Sequence, residues 1–171
     1  MITKTINLYS FDELSKEAQD KALNDLSDIN VDHEWWDYIY EDAERIGLKI
    51  TGFDLDRNRH ATGEFTDDAM FTAEAIKINH GEDCETYKTA VKFLSNYTSK
   101  ALKFESENER FYFQFEDLAH ALSEEFLTSL LEDYSIMLQK ECDYLMSLEA
   151  IIETIKSNEY TFTETGKLEN L

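Results

Sequence analysis

The stretch from Ser123 to Met146 constrains the fold more than any other. Leu127, Leu131, Tyr134, Leu138, Cys142 and Leu145 recur there at helical spacing and draw one apolar stripe. A helix of that length must lay its stripe on other elements. The rest of the chain offers both strands and helices, so the pattern predicts an α+β fold. The expected architecture is a small, mainly antiparallel sheet with four or five packed helices, including this long C-terminal one. A chain of 171 residues, 42% hydrophobic and with eleven Phe and nine Tyr, can bury a real core, and residues 1–171 are expected to form a single domain.

The remaining elements follow from periodicity and punctuation. Ile2–Tyr9 reads as a strand. Ser10 with Glu13 has capping-box spacing, and a helix follows from Phe11 or Ser15 to Leu26. Asp32 is the expected N-cap of a second helix that reaches Ile46 and stops at Gly47. Trp35, Trp36, Ile39, Tyr40, Ala43 and Ile46 fill one arc of that helix, and Glu34, Asp37, Glu41 and Glu44 line the opposite one. Trp35, Trp36, Ile39 and Ile46 are therefore expected in the core. Leu48–Leu55 and Ala61–Phe65 read as a hairpin turning at Asp56-Arg57-Asn58-Arg59. Further helices are expected from Thr66 or Asp67 to just before Gly81, over Glu85–Leu102, and after Ser147. Alternating Phe111, Phe113 and Phe115 suggest a strand over Arg110–Phe115, although Phe115, Leu118 and Leu122 also fit a helix. Glu159–Phe162 and Lys167–Glu169 look like a terminal hairpin around Thr165-Gly166.

Charge restricts the partner class. The net charge is −21, and it is unevenly placed: residues 12–44 carry −10, residues 105–171 carry −12, and residues 45–104 sum to zero. A folded chain of this kind repels nucleic acid and membrane surfaces and attracts basic protein surfaces. The opening residues lack a signal-peptide pattern and no run is long enough to span a bilayer, so a cytoplasmic location in a bacterial cell is expected. Cys84 and Cys142 are the only cysteines and are expected to be reduced thiols.

Motifs for chemistry fail on inspection. The five glycines are too dispersed for a phosphate-cradling loop. Asp54-x-Asp56-x-Asn58 opens like a calcium loop, but Arg59 and Phe65 stand where a turn glycine and a bidentate glutamate are needed. His80 and Cys84 lie one turn apart without a second ligand pair for zinc. Asp117 and His120 have the spacing of a di-iron pair, without a second copy. No metal and no cofactor is expected. Glu141 falls beside the apolar stripe; a carboxylate at the stripe's edge is the commoner outcome, and a buried acid with catalytic potential the rarer one.

Three segments carry a family likeness: Tyr9-Ser-Phe-Asp-Glu-Leu-Ser15, Glu34-Trp-Trp-Asp37, and the tail from Asn158 to Leu168. Together they resemble small acidic proteins encoded by bacteriophages and integrated mobile elements. The resemblance implies a phage or prophage setting and carries no activity with it.

The leading functional expectation is an acidic decoy, a nucleic-acid mimic that occupies the basic surface of a host nucleic-acid-binding protein and inhibits it. Glu34, Asp37, Glu41 and Glu44 form its first row; Glu125, Glu132, Asp133 and Asp143 on the long helix form the second. The alternative is a non-mimic interaction module, adaptor or antitoxin-like, using exposed apolar groups such as Ile136 or the aromatics of Arg110–Phe115. An enzyme built on Glu141 or other carboxylates ranks third, because no catalytic constellation is present.

Overall fold

The structure, a computed structural model, describes residues 6–107 and 112–169. Its elements are β1 (Tyr9–Ser10), a 3-10 turn (Phe11–Glu13), α1 (Lys16–Asp25), α2 (Asp37–Arg45), β2 (Leu48–Asp54), β3 (His60–Phe65), α3 (Ala69–Asn79), α4 (Glu85–Glu107), α5 (Tyr112–Leu145), α6 (Leu148–Ser157) and β4 (Thr161–Phe162). The fold is α+β, with the strands in two antiparallel pairs, β1–β4 and β2–β3. Among the described residues no helix is long and apolar enough to cross a membrane. The chain divides into two compact units, residues 1–35 with 140–171, and residues 36–139.

The first unit closes both ends of the sequence on one core. Phe11, Leu14, Ala18, Ala22, Leu23, Ile151, Ile155 and Phe162 are buried together. Tyr9 pairs with Phe162 across β1–β4, and the Phe11 and Phe162 rings meet edge to face at 6.2 Å. The entry into α1 follows the local code. Glu13 Oε2 accepts from both the backbone N–H and the hydroxyl of Ser10, each at 2.8 Å. Ser15 then caps α1 by accepting from Ala18 N at 3.3 Å. Ser147 caps α6 in the same way. Buried Asn30 donates to the Leu145 carbonyl and accepts from Thr154 Oγ1 at 2.7 Å, which satisfies its amide and fixes the segment after α1. The terminal hairpin is present in short form, with Phe162 bridged to Leu168 around Gly166.

The second unit packs α2, α3, α4 and the body of α5 with the β2–β3 hairpin. Ile39, Ala43 and Ile46 of the α2 region are buried, as are Leu48 and Ile50 on β2. Phe93 of α4 stacks on Phe126 of α5 at 4.4 Å, and Phe65 of β3 also stacks against Phe126, at 5.6 Å. The hairpin turn is held by Asp56 N donating to Asp54 Oδ1 at 2.8 Å, so the acids of the calcium-like motif shape a turn. Gly63 lies so close to the facing strand that a Cβ there would stand 2.5 Å from the Lys49 carbonyl oxygen.

Several expectations need correction. The second helix begins at Asp37 with Trp36 as N-cap, five residues after Asp32, so Trp35 and Glu34 precede it. Both tryptophans are half-buried, whereas Ile39 and Ile46 are fully buried as expected. The first strand is confined to Tyr9–Ser10, and the part of the expected strand over residues 2–5 lies outside the described residues. The strand expected over Arg110–Phe115 is helical from Tyr112 onward; Arg110 and Phe111 lie outside the described residues. The helical phase of Phe115, Leu118 and Leu122 prevails there over two-residue alternation. The buried face of α5 is Leu122, Phe126, Leu130, Tyr134 and Leu138, while Leu127 and Leu131 are half-buried. Steps of four residues rotate that face around the helix, so its apolar arc is wider than one stripe.

Candidate interaction surface

Helix α2 sorts its side chains by angle. Ile39 and Ala43 face the core, and Asp37, Glu41 and Glu44 lie on the opposite side, exposed. Trp36 and Tyr40 form the shoulder between the two, and both rings meet Phe53 of β2 edge to face, at 5.3 and 6.4 Å. None of Asp37, Glu41 and Glu44 makes an ion pair among the described residues. Glu34 is also exposed, but it belongs to the first unit and to a non-helical stretch, so the row on α2 has three members.

The acids expected on the long helix are placed differently. Glu132 Oε1 takes the Arg59 guanidinium at 2.5 Å, while Arg59 Nε donates to buried Ser135 Oγ at 3.2 Å. Asp133 is half-buried and accepts from Thr89 Oγ1 at 2.7 Å. Burial pushes the Asp133 carboxyl up from its ordinary range, the Thr89 bond works against that, and the Glu85 and Glu132 charges add to the rise. Glu132 and Asp133 thus tie α5 to the hairpin and to α4. Glu125 is exposed and lines a shallow groove between α4 and α5 with Lys92. Asp143 is exposed and belongs to the first unit. Glu141 is half-buried at the edge of the helix. Ile136 is half-buried too.

Sequence reasoning missed the polar network that anchors α2. Tyr134 of α5, 0% exposed, donates its hydroxyl to Asp42 Oδ2 at 2.9 Å. His80, at the end of α3, places Nδ1 2.7 Å from Thr86 Oγ1 of α4. Its Nε2 stands 3.5 Å from the same Asp42 oxygen, too far for a full hydrogen bond, so the ring and the carboxylate interact mainly as charge and dipole. The His80 ring beside it, chiefly, holds the Asp42 carboxyl below its ordinary range against the opposing effect of burial; the Tyr134 hydroxyl and Arg45 add to it. Burial pushes the Tyr134 phenol far up. Thr86 is itself buried, so the Thr–His–Asp arrangement, with Tyr134, fastens four helices and presents no nucleophile to a substrate. It also turns His80 away from the pairing with Cys84 that their spacing suggested. Among the described residues no three His, Cys, Asp or Glu side chains gather as metal ligands. The signal for the network was in the wheel: Asp42 falls beside Ile46 and Ile39, off the acidic row.

Comparison with protein-family models, with curated proteins and with solved structures gives no match.

Proposed function

We propose that this chain acts by binding protein, as an acidic decoy: the Asp37–Glu41–Glu44 face of α2 occupies a basic surface of a nucleic-acid-binding protein and competes there with nucleic acid. The observation that carries this reading is a row of exposed carboxylates that make no ion pair among the described residues, on a helix whose other side is fixed in a core. Unpaired carboxylates on an anchored helix meet lysines and arginines without first breaking a pair of their own. The three charges span about 10 Å of helix axis, or about one per 5 Å. One DNA strand carries one per ~3.4 Å. The row is thinner than a phosphate strand and suits a short basic stretch better than a long groove. In the phage setting that the resemblance implies, the partner is a host protein.

The test is charge reversal. A D37K/E41K/E44K variant is expected to keep the fold, because Ile39, Ala43 and Ile46 are untouched, and to lose at least ~100-fold in affinity, at about 1 kcal/mol per site. The wild-type chain, used as bait in a bacterial lysate at low salt, should retain a protein that binds duplex DNA and should displace DNA from it. That retention should fall steeply from ~50 to ~200 mM salt, as surface attraction is screened. Equal retention by the reversed variant would defeat the proposal.

A second reading is a non-mimic interaction module. Exposed apolar side chains on α3, away from the acidic row in sequence, favour it.

A further inference from the structure

Helix α2 carries aromatic rings directly beside its carboxylates. Trp36 and Tyr40, one turn apart, both meet Phe53 of β2, with ring planes at 73° and 79° to it. All three side chains are half-buried, so each packs at the hairpin and keeps part of its surface in solvent. Glu44 lies about 40° around the helix from Tyr40, and Asp37 about 60° from it on the same side. The acidic row therefore borders an aromatic strip and does not stand alone on a polar face. Its opposite border differs. Tyr38 is 52% exposed there, but Arg45 is exposed on the same side and already supplies a cation.

We propose, resting on the decoy reading of this face, that the basic groups it captures are arginines, with a guanidinium set between the Trp36–Tyr40 rings and the carboxylates of Asp37 and Glu44. Two features select arginine over lysine. The first is the pairing of surfaces. A guanidinium is planar: its N–H edge forks onto a carboxylate while its face lies on an aromatic ring, and it sheds water more readily than an ammonium. A lysine ammonium is a compact, strongly hydrated point charge, which uses the carboxylate well and gains less from the ring. The second is spacing. At about one carboxylate per 5 Å of axis, each acid must hold its cation singly, and a two-pronged contact does that better than a point charge. The same planar, bidentate chemistry recognises phosphate, so an arginine-lined nucleic-acid site is the surface that this face fits.

Fluorescently labelled nona-arginine and nona-lysine peptides carry equal charge, and their affinities for the full chain can be compared by anisotropy at ~50 mM salt. Nona-arginine is expected to bind about tenfold more tightly. Tyr40→Leu keeps an apolar side chain against Phe53 and removes one ring. It should cut the ratio to about threefold, with Trp36 remaining, by weakening nona-arginine and leaving nona-lysine nearly unchanged. Tyr40→Phe keeps the ring and should keep the full ratio. The D37K/E41K/E44K variant should bind both peptides at least about tenfold more weakly, which locates them on α2 and not on another acidic surface. Equal affinity for the two peptides, or a ratio indifferent to Tyr40→Leu, would overturn the arginine assignment and leave the decoy reading standing. Failure of both peptides to bind, or binding that survives the charge reversal, would remove the decoy reading and the assignment with it.

Discussion

Gly166→Ala is expected to destabilise the first unit by more than ~3 kcal/mol, close to the limit for a single methyl group. Two effects act together. Gly166 has φ +79°, a conformation that costs an L-residue about 1 kcal/mol. Its missing Cβ would also stand 2.2 Å from the Ala18 carbonyl oxygen and 2.9 Å from that carbonyl carbon. Those are backbone atoms of α1, whose Ala18, Ala22 and Leu23 are buried, so nothing flexible can swing aside. The loop cannot retreat either, because Gly166 N donates to the Thr163 carbonyl and Thr163 N to the Lys167 carbonyl, both at 2.9 Å. The hairpin must leave α1 and expose Phe162. Gly81→Ala is the control: its Cβ would meet nothing within 4 Å, and the change should stay within about 0.5 kcal/mol. Urea denaturation, with hydrogen exchange at Thr161 and Thr163 as the local probe, distinguishes the two. If both variants melt alike, the close approach is not a constraint.

What could be read from the sequence tracks how local the cause is. The capping signals at Ser10 and Ser147, the stop at Gly47 and the turn at Asp56–Arg59 each depend on neighbours a few residues away, and each appears in the structure. The expected cap at Asp32 fails because α2 starts after Trp36 without any side-chain cap, so no local polar signal marks its beginning. The alternation of Phe111, Phe113 and Phe115 misleads because a short aromatic run satisfies either period, and the longer helical phase after it decides. For the candidate surface, the exposure of Asp37, Glu41 and Glu44 follows from the wheel. The internal roles of Glu132 and Asp133 do not, since Arg59 and Thr89 are 73 and 44 residues away. Long-range pairs of that kind carry no local signature. Asp42 is an intermediate case: its angle sets it off the acidic row, but its partners Tyr134 and His80 come from elements that only the fold brings together.

Asp42→Ala is expected to cost about 3 kcal/mol, more than any change on the acidic row one residue away. It leaves the Tyr134 hydroxyl, 0% exposed, without an acceptor and removes the charge beside His80, whose side chain is 8% exposed. Tyr134→Phe removes only the donor; Asp42 keeps His80 and part of its solvent, so the cost should be about 1 kcal/mol. The larger loss thus comes from deleting the shared acceptor. A pH series adds a second check. The folded-state Asp42 carboxyl lies below its ordinary range, so its stabilisation is full above the unfolded value near ~4 and is lost as pH falls through the folded one. The stability gap between wild type and Asp42→Asn, measured by urea denaturation, should therefore hold near neutrality and shrink in acid. A gap that is constant to the lowest pH would show that Asp42 acts through packing and not through charge. The contrast with Glu41 and Glu44 is the physical point. Those carboxylates can be reversed with little effect on stability because solvent already surrounds them. Asp42, on the same helix, is held by His80 and Tyr134, and the helix that presents the acidic row depends on it.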